Sequence, residues 1–363
     1  MKRLLCIVGS MNAGGAETLL MKIYRQLDRS KYQMDFAVAV SEEGIYDREI
    51  KSYGGRIYHI SPKSAGLVKN FNDIKKLVHK EQYESVLRVS QHSLSALELL
   101  AAWMGGAKIR GFRSSNSNTT TGGGMDLKLH KLCMFMPRLF ANVRIAPSTE
   151  AAEFMFGKGC IKKGKAVLLH NAVDVDYFSY KETGRQKIRE EFHIEDKFVV
   201  GHIGRFNQQK NHSFLLDVFA EVVKQLDDAV LMLVGKGELE QNIKEKAMQL
   251  GIQDKVIFTG IRQDIPDLLS AMDIFVFPSL YEGMPNTVIE AQANGLKCIV
   301  ADTITREADI SGLVEYLPLD IKTWVDAICK GKSMHQNQKA NFEANKYDIQ
   351  SITKEFVQML IKG

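Results

Sequence analysis

The sequence predicts an α/β chain made of two doubly wound domains, each a parallel sheet with helices on both faces. Three observations point there. Apolar runs of strand length alternate with helical patterns from end to end, the order that helix-covered parallel sheets produce. The alternation comes in two series, parted by a polar stretch around residues 170–181. The chain has 363 residues, long for one core and comfortable for two domains of ordinary size.

In the first series the strand candidates are Leu4–Val8, Phe36–Val40, Arg56–Ile60, Ser85–Val89, Lys108–Phe112, Arg144–Ala146 and Ala166–Leu169. Helical spacing of apolar residues recurs between them in Ala16–Leu27, Asn70–Lys80, Leu94–Met104 and Asp126–Phe140. In the second series the strands are Phe198–Ile203, Val230–Val234, Val256–Thr259, Ile274–Phe277, Lys297–Val300 and Val314–Leu317. Its helical patterns include Ser213–Gln225, Leu239–Leu250, Val288–Ala293 and Ile321–Cys329. The domains are expected at 1–172 and 173–363, with the last helix, about 346–363, placed to pack back on the first domain. The stretch Ser114–Gly124, SSNSNTTTGGG, is small, polar and ends in three glycines, so it is expected to be a mobile loop and a candidate lid.

Composition narrows the class. Apolar residues make up 45% and charged residues 25%, which excludes a disordered, collagenous or fibrous chain. The five cysteines are scattered without a CxxC pair, which argues against a disulfide framework or a zinc site and for a reducing compartment. Met1-Lys2-Arg3 precedes the run Leu4–Val8, which is too short for a signal core and meets Gly9-Ser10, so it reads as a buried first strand of a cytoplasmic protein. Net charge is uneven. Residues 1–170 hold 26 Lys and Arg against 14 Asp and Glu, and the rest hold 22 against 29. A basic half points to an anionic partner such as a phosphorylated acceptor, a phospholipid surface or nucleic acid, or else to plain solvation. Nucleic acid is the weakest of these, because the basic half lacks aromatic interleaving and a known binding motif.

Several motifs carry chemistry. Gly14-Gly15-Ala16-Glu17 follows the first strand, where glycines let backbone N–H groups approach a phosphate at a helix start; a tight turn needing glycine for geometry alone is the other reading. The GxGxxG fingerprint is absent, which disfavours a dehydrogenase. Gly204-Arg205-Phe206-Asn207-Gln208-Gln209-Lys210 follows Phe198–Ile203, so Arg205 and Lys210 lie at the strand edge where open α/β sheets bind ligands. Either they meet a diphosphate, on which charge builds when it leaves, or they are exposed loop cations. Strand Ile274–Phe277 runs into PSLYEGMPNTVIEA, in which Glu282 falls on the loop and Glu290 in the next helix. Carboxylates accept paired hydroxyl hydrogen bonds, as sugar and ribose diols require. The competing readings are a solvated loop acid for Glu282 and a Thr287–Glu290 capping box for Glu290. Gly235-Lys236-Gly237-Glu238 and Gly260-Ile261-Arg262 are further turns at the same sheet edge.

Together these residues resemble the retaining glycosyltransferases of the GT-B fold, family 4, and most closely those that assemble bacterial capsular or exopolysaccharide. GGAE, His170-Asn171-Ala172-Val173-Asp174 with Phe178, GRxxxxKN, VGKGELE, EGMPNTVIEA and Ala293-Asn294-Gly295 occur in the family's order across nearly the whole chain. The resemblance implies two Rossmann-like domains facing across a cleft. It implies transfer of a sugar from a nucleotide-diphosphate donor, a UDP-sugar as first choice, to a saccharide or polyprenyl-diphosphate-linked acceptor. The first domain would bind the acceptor and the second the donor. Glu282 would hold hydroxyls of the transferred sugar, Glu290 the ribose, and Arg205 and Lys210 the diphosphate, helped by the Gly14-Gly15 backbone. Gly235, Gly283, Met284, Pro285, Asn286 and Thr287 would complete the donor site, with Ile261 and Arg262 flanking the base. No cofactor or metal is expected, and no enzyme nucleophile is required. Where many relatives carry a histidine after the fifth strand, this chain reads Gly111-Phe112-Arg113-Ser114-Ser115-Asn116, which makes Arg113 or Asn116 its candidate substitute. His92 is a further acceptor or sugar contact, or a structural histidine. A non-catalytic nucleotide-sugar-binding protein and a nucleotide-sugar epimerase are the alternatives.

Residues 104–149 carry seven Lys or Arg and one Asp, and Leu127–Met136 mixes basic with large apolar residues. This segment reads either as a peripheral contact with an anionic membrane or as a half-buried helix.

Overall fold

The computed structural model describes residues 1–12, 14–115, 124–282, 284–331, 335 and 337–362. Asn116 and most of the expected lid loop lie outside the described residues. The chain divides into two compact units, residues 1–172 with 349–363 and residues 173–348.

The first unit holds a seven-stranded sheet of β1 (Lys2–Val8), β2 (Tyr32–Val38), β3 (Ile57–His59), β4 (Ser85–Ser90), β5 (Ile109–Ser114), β6 (Val143–Ala146) and β7 (Val167–Leu168). Its order is β3-β2-β1-β4-β5-β6-β7, and every pairing is parallel. The second unit holds β8 (Phe198–Ile203), β9 (Ala229–Val234), β10 (Val256–Gly260), β11 (Ile274–Phe277), β12 (Cys298–Ala301) and β13 (Val314–Leu317). These pair in parallel in the order β10-β9-β8-β11-β12-β13. Strands such as Leu4–Val8 and Phe275–Phe277 are almost fully buried, which is why they read as continuous apolar runs rather than as alternating patterns.

In each sheet the strand order reverses between the first and fourth strand, at β1/β4 and at β8/β11. The crevice outside the carboxyl ends of the strands at such a switch point is where doubly wound sheets bind ligands. The motif loops follow those strands: GGAE after β1, His92 after β4, GRFNQQK after β8 and PSLYEGMPN after β11.

Several elements differ from expectation. The helix expected over 126–140 is two helices, Gly124–Cys133 and Phe135–Phe140. Pro137 has no N–H to give the Cys133 carbonyl, which interrupts the ladder there. The helix expected from Leu94 opens as a 3₁₀ turn, Ser93–Ala96, before Leu97–Met104. Helices Thr149–Phe156, Glu182–Phe192 and Ile265–Ala271 were not anticipated. The final helix Ile349–Val357 and the turn Gln358–Lys362 belong to the first unit, where Ile352, Phe356 and Leu360 join the core under β1. Gly111 on β5 makes room for them: a Cβ there would sit 2.5 Å from Leu360 Cδ2.

Candidate functional site

The densest arrangement of the singled-out residues lies in the second unit. The loop after β8 runs beside the loop after β9, joined by Gly204 N–H to the Val234 carbonyl (3.0 Å), Phe206 N–H to Lys236 (3.1 Å) and Leu239 N–H to Phe206 (3.0 Å). This close approach explains two glycines. Gly235 adopts φ 140°, and a Cβ there would strike the Gly204 carbonyl. A Cβ on Gly237 would collide with the Phe206 backbone. The pairing of the loops places Arg205 against Glu238 at 3.1 Å, with 71% of the arginine side chain exposed, so its guanidinium remains open to an incoming anion.

Lys210 is held differently. The Asn207 side chain accepts from Lys210 N–H (3.1 Å), and Asn211 turns the chain at φ 55°. Lys210 Nζ lies 2.7 Å from Glu282 Oε1 and 4.4 Å from the centre of the Phe277 ring. Both side chains are mostly buried, 16% and 14% exposed. Gln209 fastens the two loops: its Nε2 donates to the Tyr281 carbonyl (2.8 Å) and its carbonyl accepts from Leu280 N–H (2.9 Å). Two motifs 72 residues apart therefore meet at the β8/β11 switch point.

Two histidines that sequence reading passed over lie beside this pair. His202 Nδ1 donates to the Val276 carbonyl (2.8 Å), leaving Nε2 without a partner. His212 packs edge-on against it at 4.7 Å and has no partner on either ring nitrogen. Burial, reinforced by Lys210, pulls His212 down to about 4, and burial with its His212 neighbour pulls His202 well below its ordinary value. Both rings are neutral at pH 7. Ser279 Oγ and Thr287 Oγ1, on the loop and helix after β11, are also buried without hydrogen-bond partners. Buried polar atoms without partners mark places for water or a ligand.

Glu290 lies on the helix Asn286–Ala293, whose N-cap is Pro285 without a side-chain cap bond. Thr287 is the second helical residue, so the capping-box reading fails. Met284 is half-buried and Pro285 buried, and Asn286 opens the helix; Gly283 lies outside the described residues. Ile261 is 75% exposed, as a surface for a flat ring requires. Arg262 departs from the expected base contact: its guanidinium is engaged by Glu191 (2.5 and 2.9 Å) and Asp264 (2.8 and 2.7 Å). It anchors the turn that presents Ile261.

In the first unit Gly14 caps the helix Gly15–Gln26 through its extended backbone, and a Cβ on it would strike the Glu17 carboxylate. Burial raises the Glu17 pKa, while its own backbone N–H, Arg113 and Arg88 oppose the shift. Arg113 is only 2% exposed and donates to Asn171 Oδ1 at 2.8 Å. Burial pulls it down to about 10, with Glu17 pulling the other way. The expectation of a direct sugar contact therefore needs correction: Arg113 is an interior residue that orients Asn171. His92 Nδ1 accepts from Leu94 N–H (3.1 Å) and caps the turn Ser93–Ala96, the structural role weighed for it. Among the described residues no three His, Cys, Asp or Glu side chains group as a metal site.

Two Rossmann-like units with charged and glycine-rich loops at their switch points define a protein of the GT-B fold. The comparisons agree. Residues 197–330 match the family described as glycosyl transferases group 1. The EpsF protein of Bacillus subtilis (strain 168), which carries a glycosyltransferase name, is 33% identical over 91% of this chain and 87% of its own. The Escherichia coli UDP-Gal:alpha-D-GlcNAc-diphosphoundecaprenol alpha-1,3-galactosyltransferase is 26% identical over 65% of this chain and 62% of that enzyme. Among solved structures, HepE of Anabaena in complex with UDP and glucose superposes with a TM-score of 0.78 at 18% identity, covering 99% of both chains. The chain belongs to the group 1 glycosyltransferase family.

Proposed function

We propose that this chain transfers a hexose or N-acetylhexosamine from a UDP-sugar to a saccharide or polyprenyl-diphosphate-linked acceptor, with retention of configuration, in bacterial surface polysaccharide synthesis. The observation that carries this is the Lys210–Glu282 pair on the switch-point loops of the second unit. UDP and glucose in HepE and the UDP-galactose and lipid-diphosphate in the name of the E. coli relative support the choice of substrates.

In this reading the second unit binds the donor. Charge builds on the β-phosphate as the glycosidic bond breaks, and Lys210 and Arg205 offset it; two cations in the loop let the reaction run without a metal. Glu282 accepts hydrogen bonds from hydroxyls of the sugar, and its ion pair with Lys210 fixes its direction beforehand. Glu290 accepts from the ribose. Gly235, the segment 283–286 and Thr287 complete the donor site, and Ile261 packs on the base. The departing phosphate takes the acceptor proton on the face it leaves, so no enzyme nucleophile takes part. The first unit binds the acceptor, with the Gly14-Gly15 turn offering backbone N–H groups to an anion. Its basic character suits a phosphorylated acceptor at the cytoplasmic face of an anionic membrane rather than nucleic acid.

The test is a thermal-shift screen of UDP- and GDP-sugars, then transfer of labelled sugar from the best donor into a lipid extract, with Glu282→Gln and Arg205→Ala as controls. Transfer by the wild type and its loss in both variants is the expected result. Wild-type rates in both variants would refute the site. Donor binding without turnover, or epimer formation without acceptor, would replace this reading with a binding protein or an epimerase.

A further inference from the structure

We propose that the first unit docks on an anionic lipid surface through the helices Gly124–Cys133 and Phe135–Phe140. This deepens the reading of a membrane-borne acceptor by assigning the face that reaches it.

These helices carry large apolar residues on their outer face as well as their inner one. A helix on a soluble surface directs its apolar residues inward and its polar residues to water. Here the inward positions are His130, Cys133 and Pro137, with Met136 and Phe140 half-buried against the core. His130 is fully buried: Nδ1 accepts from Ser93 N–H (3.2 Å), Nε2 donates to the Phe154 carbonyl (3.1 Å), and the ring stacks on Phe154 at 4.2 Å. The outward positions are Leu129, Leu132, Phe135 and Leu139, exposed by 42%, 73%, 53% and 66%. Their spacing of three, three and four residues makes one stripe. The helix Leu97–Met104 lies against Phe135–Phe140 and adds Trp103 and Met104, 59% and 50% exposed. An exposed tryptophan fits a membrane interface, where one part of the ring is apolar and the other wet.

The charges decide what covers this stripe. Lys128, Lys131 and Arg138 are exposed among the apolar residues, and residues 127–149 contain no Asp or Glu. The Arg138 guanidinium lies against Gly157, where a Cβ would strike it, so the turn after the helix Thr149–Phe156 adjoins the patch. That turn brings exposed Lys158, Lys162, Lys163 and Lys165, again without an acid between 154 and 170. A second copy of this chain would set like charges against each other. An anionic bilayer satisfies both parts at once, apolar side chains entering the acyl boundary and lysines meeting phosphates. No helix among the described residues is long and apolar enough to cross a membrane, so the contact is peripheral.

The experiment is flotation of the full chain with vesicles of phosphatidylcholine alone or mixed with phosphatidylglycerol, at low and high salt. The variants are Leu132→Ser/Phe135→Ser and Lys128→Glu/Lys131→Glu, with UDP binding measured alongside by calorimetry. Binding only to the anionic vesicles, weakened at least about tenfold by either double variant and by salt, with UDP affinity unchanged, is expected. A wild-type chain that does not float, or variants that float like it, overturn the docking face while leaving the donor site untouched. A dimer dissolved by Leu132→Ser/Phe135→Ser, without vesicle binding, also overturns it. Vesicle binding by a chain that takes no UDP would instead count against the donor reading alone.

Discussion

Lys210→Met leaves the Glu282 carboxylate, 14% exposed, without its cation. Breaking a fully buried pair costs about 3–5 kcal/mol, whereas an exposed pair is worth at most about 1 kcal/mol. With both side chains mostly but not wholly buried, the loss should be about 2 kcal/mol, a fall in Tm of roughly 4–8 °C for a domain of this size. Glu282→Gln keeps the shape and an oxygen for Lys210 Nζ, so it should cost about half as much, near 1 kcal/mol. The double variant should be less damaging than the sum of the single ones by about 1–2 kcal/mol, because each single change has already removed the charge–charge attraction. Urea unfolding followed by fluorescence is the assay. Trp324 is fully buried in the second unit and Trp103 is exposed in the first, so the signal change on unfolding reports chiefly the unit that holds the pair. Additive effects within about 0.3 kcal/mol would refute the contact.

Other consequences follow from neighbouring residues. His212 takes its proton only near pH 4, while in the unfolded chain it does so near 6.5. The unfolded state therefore binds more protons in that window, and stability present above it falls as pH drops through it, by up to about 3 kcal/mol. His212→Phe should flatten the fall in urea midpoint between pH 7 and 4.5; an unchanged slope contradicts the buried neutral ring. Gly235→Ala, with φ 140° and the Gly204 carbonyl in the way, should displace the Arg205–Lys210 loop and cost about 1–3 kcal/mol as well as most donor affinity. A variant with wild-type UDP affinity in calorimetry would show that the two loops need not touch. Gly111→Ala should loosen the C-terminal helix from the first unit by crowding Leu360, at about 1–3 kcal/mol, seen as faster amide exchange in 349–362 with donor affinity intact.

Of the thirteen strands among the described residues, twelve lie within two residues of where periodicity put them, the central ones being apolar runs buried on both faces, while β2 begins four residues earlier than expected, at Tyr32, because Gln33 and Asp35 interrupt its apolar run. Two of the helices missed offer little local pattern to read. In Glu182–Phe192 the buried residues include Arg189, and the helix is fixed by Arg185 and Arg189 to Asp273 at 2.7 Å, a contact that no local pattern encodes. Ile265–Ala271 is seven residues with a proline in its first turn. At the site, the residue types were legible and their partners were not. The meeting of Lys210 and Glu282 follows from the strand order β8-β11, which a sequence does not display. The resemblance gave Arg113 to the sugar side and Arg262 to the base, but it does not display their partners: one is buried on Asn171 and the other is taken up by two carboxylates. The glycines of GKG read only as a turn at the sheet edge, and the structure gives the reason for them in the passing backbone of residues 204–206.

The most direct measurement is a calorimetric titration of UDP into the wild-type chain and into Arg205→Ala and Lys210→Ala. Charge-assisted contacts to a diphosphate predict saturable binding by the wild type, weakened by about 10- to 100-fold in each variant. Binding of equal strength in all three proteins, or none in the wild type, would contradict a donor diphosphate held by the loop after β8.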